Sequence, residues 1–91
     1  MILEFHSGFE KDLSQTHDKK LAKIILDCIH LFEQANQLSE IPNVKKMVGH
    51  PTAYRYRKWK YRIGFYFENN IVSFAAFAPR SKIYSDFSLN K

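Results

Sequence analysis

The sequence predicts an α+β domain in which one strand and a two-helix hairpin precede an antiparallel β-meander packed on the helices. Three observations carry that reading. Apolar residues recur at helical spacing between Leu21 and Leu38. From Tyr54 onward the chain is rich in aromatic and β-branched residues in alternating segments. Asn69-Asn70 then supplies a tight two-residue turn between the last two of these segments. The 91 residues read as a single domain, 1–91, without repeat or linker.

The elements follow in order. Met1 to His6, with Ile2, Leu3 and Phe5, reads as a first strand. Ser7 and Glu10 have capping-box spacing, so Ser7 is expected to cap a short helix that carries Phe9 and Leu13 on one face. Gln15 to Asp18 form a break, and Thr16 or Asp18 can cap the next helix. That helix is expected from Lys19 to Leu38, its apolar side made by Leu21, Ile24, Ile25, Cys28, Leu31, Phe32, Ala35 and Leu38. Ile41-Pro42-Asn43 ends the helical region, and a connector runs through Lys45, Lys46, Gly49, His50 and Pro51. Strands are expected at Tyr54–Lys58, Tyr61–Glu68 and Ile71–Ala78, with a short helix or extended segment from Arg80 to Phe87.

Composition narrows the function. The longest apolar runs fall far short of a membrane span, and the first residues lack the basic and apolar regions of an export signal. One cysteine, Cys28, can make neither an internal disulfide nor a thiolate cage, so a reducing cytoplasm is the expected location. His6, His17 and His30 show no metal-ligand spacing, and neither metal nor cofactor is expected. The net charge of +5 is unevenly placed. Residues 1–44 carry four lysines against seven acids, a net of −3, whereas residues 45–91 carry ten Lys/Arg against two acids, a net of +8. An anionic partner for the C-terminal half explains such segregation; a solvated basic face is the plainer alternative.

Strand parity sharpens the first option. Ile63, Phe65 and Phe67 point one way along their strand, and a turn at Asn69-Asn70 sets Val72, Phe74 and Ala76 on that same face, toward the helices. A hairpin through Trp59 places Arg57 opposite Arg62, so Arg55, Arg57, Arg62 and Tyr66 are expected on the opposite, open face beside Ser73 and Ala75. Three guanidinium groups there repel unless an anion lies between them. Phosphate fits best, because arginine offers bidentate donors to its oxygens.

Four segments now carry a resemblance. Pro42-Asn-Val-Lys-Lys-Met-Val-Gly49, Tyr54-Arg-Tyr-Arg57, Tyr61-Arg-Ile63 and Arg80-Ser-Lys-Ile-Tyr84 occur in the order and spacing of the RelE/ParE toxin superfamily, and the chain resembles that family over nearly its whole length. The resemblance implies a small antiparallel sheet flanked by helices and a cognate antitoxin protein as partner. Its RelE branch implies a ribosome-dependent endonuclease acting on mRNA; its ParE branch implies a poison of DNA gyrase. Arg55 and Arg57 resemble the basic pair before the hairpin, where RelE has lysines. Arg62 resembles the arginine of the Tyr-Arg-[Ile/Leu] motif, Tyr84 the C-terminal tyrosine, and Arg80 an arginine four positions earlier. RelE has a further arginine where this chain has Ala78, and other branches have a histidine where it has Pro79. Those departures keep a third option open, a degenerate domain that only binds RNA or an antitoxin.

The chemistry can be stated independently of the family. RNA cleavage by its own 2′-hydroxyl needs a base, cations on the phosphate and an acid for the leaving 5′-oxygen. Arg62, Arg57 and Arg55 suit the second role and cannot serve as the base. Proton transfer then falls to Tyr84, Lys60, His50 or the ribosome, with Tyr84, its phenolate favoured by neighbouring cations, as base or stacking partner. Lys45, Lys46, Lys58, Lys60, Arg80 and Lys82 are candidate phosphate-backbone contacts. Trp59 either stacks on a base or caps the sheet edge. His50 reads as a loop residue sooner than as an acid or base, Cys28 as a buried small hydrophobe, and Tyr54 and Tyr56 as packing residues.

Overall fold

The computed structural model describes residues 1–79. It contains β1 (Ile2–Phe5), α1 (Ser7–Gln15), α2 (Lys19–Gln34), a 3-10 turn (Leu38–Glu40), β2 (Val44–Lys46), β3 (Ala53–Lys58), β4 (Tyr61–Glu68) and β5 (Ile71–Pro79). The strands form one sheet in the order β1-β5-β4-β3-β2. Strand β1 runs parallel to β5, and every other pair is antiparallel. The α+β layout is therefore the expected one, closed by a parallel edge strand. The expected segment from Arg80 to Phe87 lies outside the described residues.

The helical hairpin covers one sheet face. Phe9 of α1 and Ile25, Cys28 and Phe32 of α2 are fully buried against Ile63, Phe65, Val72 and Phe74. Phe32 is the keystone of this layer: its ring meets Tyr56, Phe65 and Phe74 edge-on at centroid distances of 5.8, 5.1 and 5.3 Å. Tyr56 is buried and Tyr54 stacks on Phe65 at 5.7 Å, as expected of packing residues. Each such ring removes enough apolar surface from water to contribute about 1.5–3 kcal/mol.

Local chemistry sets the ends. Asp18 caps α2, its carboxylate accepting from the backbone N–H groups of Lys20 and Leu21 at 3.0 and 3.1 Å. The capping box at Ser7 does not form. His6 is held extended by its N–H···O bond to Phe74 (2.9 Å), so it occupies the cap position and Ser7 is already helical. Helix α2 stops at Gln34, four residues before the expected end at Leu38. The N–H of Asn36 is taken by the Glu40 carboxylate at 3.2 Å instead of a helix carbonyl. Ala35 and Leu38 keep their apolar register because the chain still crosses the core after leaving the helix. Part of the expected connector is strand β2, in which Val44, Lys45 and Lys46 pair with Tyr56, Arg55 and Tyr54.

The β4–β5 hairpin turns through Asn69 and Asn70 at φ 54° and 64°, and Glu68 pairs with Ile71 as expected. Its register then shifts once. Phe65 faces Phe74, but Gly64 faces Ala76 and Ile63 faces Phe77, so Ala75 is an extra residue on β5. The expected core position of Ala76 is thereby corrected. The bulge inverts parity beyond Phe74, sending Phe77 to the helix side and Ala76 and Ala78 to the open face.

Candidate functional site

The open face is built from β3, β4 and β5. In the β3–β4 ladder Arg57 lies directly opposite Arg62, Arg55 lies opposite Gly64, and Lys45 of β2 lies opposite Arg55. The arginine trio expected on this face is thus brought together by register. Its floor is apolar and mostly alanine. Met47, Ala53 and Ala78 are buried there with Tyr66, Ala75 and Ala76 packed on them, and Gly64 adds no side chain. The result is a low apolar floor beside a cluster of positive charge.

Arg62 is the most constrained member. Only 7% of it is exposed, and its Nη1 donates to the carbonyl oxygens of Trp59 (3.2 Å) and Tyr61 (3.0 Å). Those carbonyls belong to the hairpin that joins β3 to β4, so the turn itself aims the guanidinium. Arginine keeps its charge in such surroundings, and a charge fixed in advance reorganises little when an anion arrives. Arg57 is exposed beside it.

Other sequence-predicted residues are distributed around this centre. Trp59 adopts φ 58° at the hairpin tip and leans toward the helices, with Nζ of Lys20 3.7 Å from its ring centroid and Tyr61 at 5.8 Å. Lys60 lies over the rings of Trp59 and Tyr61, at 4.8 and 5.6 Å. Trp59 thus leans against Lys20 of α2 and remains 54% exposed. Lys58 pairs with Tyr61 and lines a groove with Ile24, Asp27, His30 and Leu31, on the helix side. Lys46 lies opposite Tyr54, on the edge strand. His50 sits in the β2–β3 loop, its N–H donating to Met47 at 3.3 Å. Cys28 is buried, and that burial pushes its thiol far above the usual range. Tyr84, Arg80 and Lys82 lie outside the described residues.

One cluster escaped the sequence reading because β1 had not been assigned a neighbour. Pairing Glu4 with Ser73 puts Glu4 and His6 on the open face with Tyr66 and Glu68. Ser73 and Ala75 are small enough for His6 and Tyr66 to meet across β5, where their rings stack at 5.7 Å and 20°. Ser73 Oγ lies 3.5 Å from a carboxylate oxygen of Glu4. The alternation of Ile2, Glu4 and His6 was the available signal. Among the described residues, no group of three or more His, Cys, Asp or Glu gathers as a metal site, and no helix is long and apolar enough to cross a membrane.

The open face thus changes character along its length, from arginines through small residues to an aromatic pair flanked by carboxylates. An extended polyanion can lay its phosphates on the first part and must turn its backbone away from the last.

No protein-family model and no curated protein matches the sequence. Solved structures do. The chain is similar to a chain of the RelB–RelE antitoxin–toxin complex from Methanococcus jannaschii, at 28% identity and TM-score 0.75, over 92% of this chain and 98% of that one. It is similar to a chain of the archaeal RelE–RelB complex from Pyrococcus horikoshii, at 20% identity and TM-score 0.66, over 89% and 96%. The YoeB dimer from Staphylococcus aureus follows at 20% identity and TM-score 0.64, over 84% and 92%. The fold is that of the RelE toxins, which agrees with the resemblance carried by the sequence motifs.

Proposed function

We propose that this RelE-fold chain is the toxin of a toxin–antitoxin pair, an endoribonuclease that cuts mRNA on the ribosome without a metal. The observation that carries the reading is the cross-strand pairing of Arg57 with Arg62 on an open sheet face, beside Arg55 and Lys45. Like charges directly opposite in a ladder destabilise it. A bound phosphate turns that repulsion into attraction, and charge-assisted arginine–phosphate bonds are among the stronger polar contacts. The similar archaeal structures hold an antitoxin with the toxin, which supports a cognate antitoxin here.

The reaction assigned to the site is internal transesterification. The 2′-oxygen attacks the adjacent phosphorus, a P–O2′ bond forms and the P–O5′ bond breaks. The 2′-proton leaves to a base, and the departing 5′-oxygen takes up a proton. Arg62, fixed by two backbone carbonyls, stabilises the charge that grows on the non-bridging oxygens. Arg57 and Arg55 hold the scissile phosphate and its neighbour, and Lys45 extends the cationic track. Tyr84 is the proposed base or stacking partner. A small domain with no complete acid–base pair among these residues is suited to chemistry assisted by the ribosome.

The test is induction in a bacterial host with primer extension on an abundant translated mRNA. Wild type is compared with Arg57→Ala, Arg62→Ala and Tyr84→Phe. Growth arrest with new 5′ ends inside translated regions, lost in the arginine variants, is the expected result. Arg57→Ala keeps the comparison readable if removal of the buried Arg62 harms folding. Arrest without new ends would overturn the nuclease reading, and full cleavage by Arg57→Ala and Arg62→Ala would overturn the site.

A further inference from the structure

We infer that the His6–Tyr66 pair, with Glu4 beside it, is a nucleobase subsite that favours bases carrying an exocyclic amino group over uracil. The inference rests on the reading of the open face as an RNA track and assigns what the end remote from the arginines does.

Four features of the structure combine here. Tyr66 packs against the apolar cluster of Met47, Ala53 and Ala78. His6 stacks on Tyr66 and is itself exposed, so a two-ring stack rises from the floor with its outer member open to solution. A nucleobase extends such a stack, because every base offers a π-face to an aromatic side chain. Beside the pair lies a shallow cavity of about 170 Å³ lined by Glu4, Tyr66, Glu68, Asn69, Ile71 and Ser73.

Spacing and charge set the orientation. Tyr66 lies four positions beyond Arg62 on β4, about 13 Å along the strand. That is the reach of a nucleotide or two from a phosphate held by the arginines. Glu4 and Glu68 repel phosphate, so the strand presents a base to this corner and keeps its backbone toward the cationic part. A carboxylate only accepts hydrogen bonds. It therefore matches an exocyclic amino group, as glutamate does on cytosine or a paired acceptor does on adenine, and it opposes the carbonyl-rich edge of uracil. Ser73 Oγ lies 3.5 Å from that carboxylate, beside the cavity both residues line.

Fluorescence anisotropy with the purified chain tests this separately from cleavage. The probes are short labelled oligouridines, either uniform or with one central adenosine, cytidine or guanosine. The wild-type protein is expected to bind the substituted oligomers about fivefold to tenfold tighter than oligouridine. Glu4→Gln should remove most of that preference, lowering affinity for the substituted oligomers and leaving that for oligouridine unchanged or higher. His6→Ala should weaken every oligomer about tenfold, the usual effect of losing one stacking platform. Both side chains are exposed, so neither change threatens the fold. Equal affinity for all four oligomers, or a preference unchanged in Glu4→Gln, overturns the subsite. Discrimination without cleavage on ribosomes would instead refute the nuclease reading and leave the subsite standing.

Discussion

Replacing Arg57 with glutamine should make the isolated protein more stable and a poorer RNA binder at the same time. Arg57 faces Arg62 across the β3–β4 ladder, and its backbone N–H bond to the Asn43 carbonyl (3.0 Å) does not involve the side chain. For two unit charges on the order of 8 Å apart, an effective dielectric of about 40, between the surface and bulk-water values, gives a repulsion of about 1 kcal/mol by Coulomb's law. Screening over a Debye length of about 8 Å reduces this to about 0.4 kcal/mol at physiological ionic strength. For a domain of this size that is a rise in Tm of about 2–3 °C. The gain should vanish in 1 M salt, where the Debye length is about 3 Å. On the binding side, one lost charge-assisted bond of about 1.5–3 kcal/mol weakens RNA binding roughly tenfold to a hundredfold. The slope of log affinity against log salt should fall by about 0.7 for one phosphate contact on a single strand. Calorimetry at two salt concentrations and salt-titrated anisotropy read both effects. A lower Tm for Arg57→Gln, or RNA affinity and salt slope unchanged, would refute the argument that this pair is kept for an anion.

Three further outcomes are expected. Phe32→Ala empties the space where three rings converge and should cost about 3–5 kcal/mol by urea denaturation, against less than about 0.5 kcal/mol for the exposed Leu26→Ala. Asp18 titrates below its usual range, chiefly through the Leu21 N–H; burial opposes this, and the Lys20 N–H, the Tyr61 OH and the Lys60 charge add to the lowering. Its folded pKa lies under its unfolded one, so its contribution is complete above the usual 3.8 and fades as pH falls through the folded value. The difference in Tm between wild type and Asp18→Asn should therefore narrow in that acid range and stay constant near neutrality. Cys28, buried and with its thiol pushed far up, should resist alkylation at pH 8 in the native protein and react once urea unfolds it.

The sequence made some of this architecture readable and hid the rest for identifiable reasons. The helical period of α2 and the alternation of β4 were plain because each repeats over several turns or residues. Arg57 opposite Arg62 followed from one two-residue turn, since a hairpin propagates its register. The bulge at Ala75 could not be counted from alternation, which assumes one residue for one; only the bulk of Phe77 against Ala76 hinted at a slip. Strand β2 is three residues long with two lysines, and it exists because β3 pairs with it. The burial of Arg62 was equally hidden, because the carbonyls that hold it come from a turn whose direction depends on Trp59 adopting a left-handed backbone. Lys58 and Trp59 belong by sequence to the basic hairpin, yet parity and a ring contact with Lys20 take them toward the helices. The His6–Tyr66 stack needs β1 beside β5, a parallel pairing across most of the chain's length that no local pattern announces.

The single extra residue at Ala75 has a consequence for how this scaffold can change. Residues before it and after it on β5 obey opposite parity rules, so one strand serves two surfaces that are otherwise locked together. Without the bulge, with Ala75 taken into a regular ladder, Phe77 would stand on the exposed floor and Ala78 would leave a void under the helices. With it, the aromatic layer beneath the helices and the low platform beside the arginines are furnished independently. Substitutions that reshape the platform for a different ligand can then accumulate at Ala76 and Ala78 without disturbing Phe74 or Phe77. The irregularity frees the binding face to diverge while the core stays as it is.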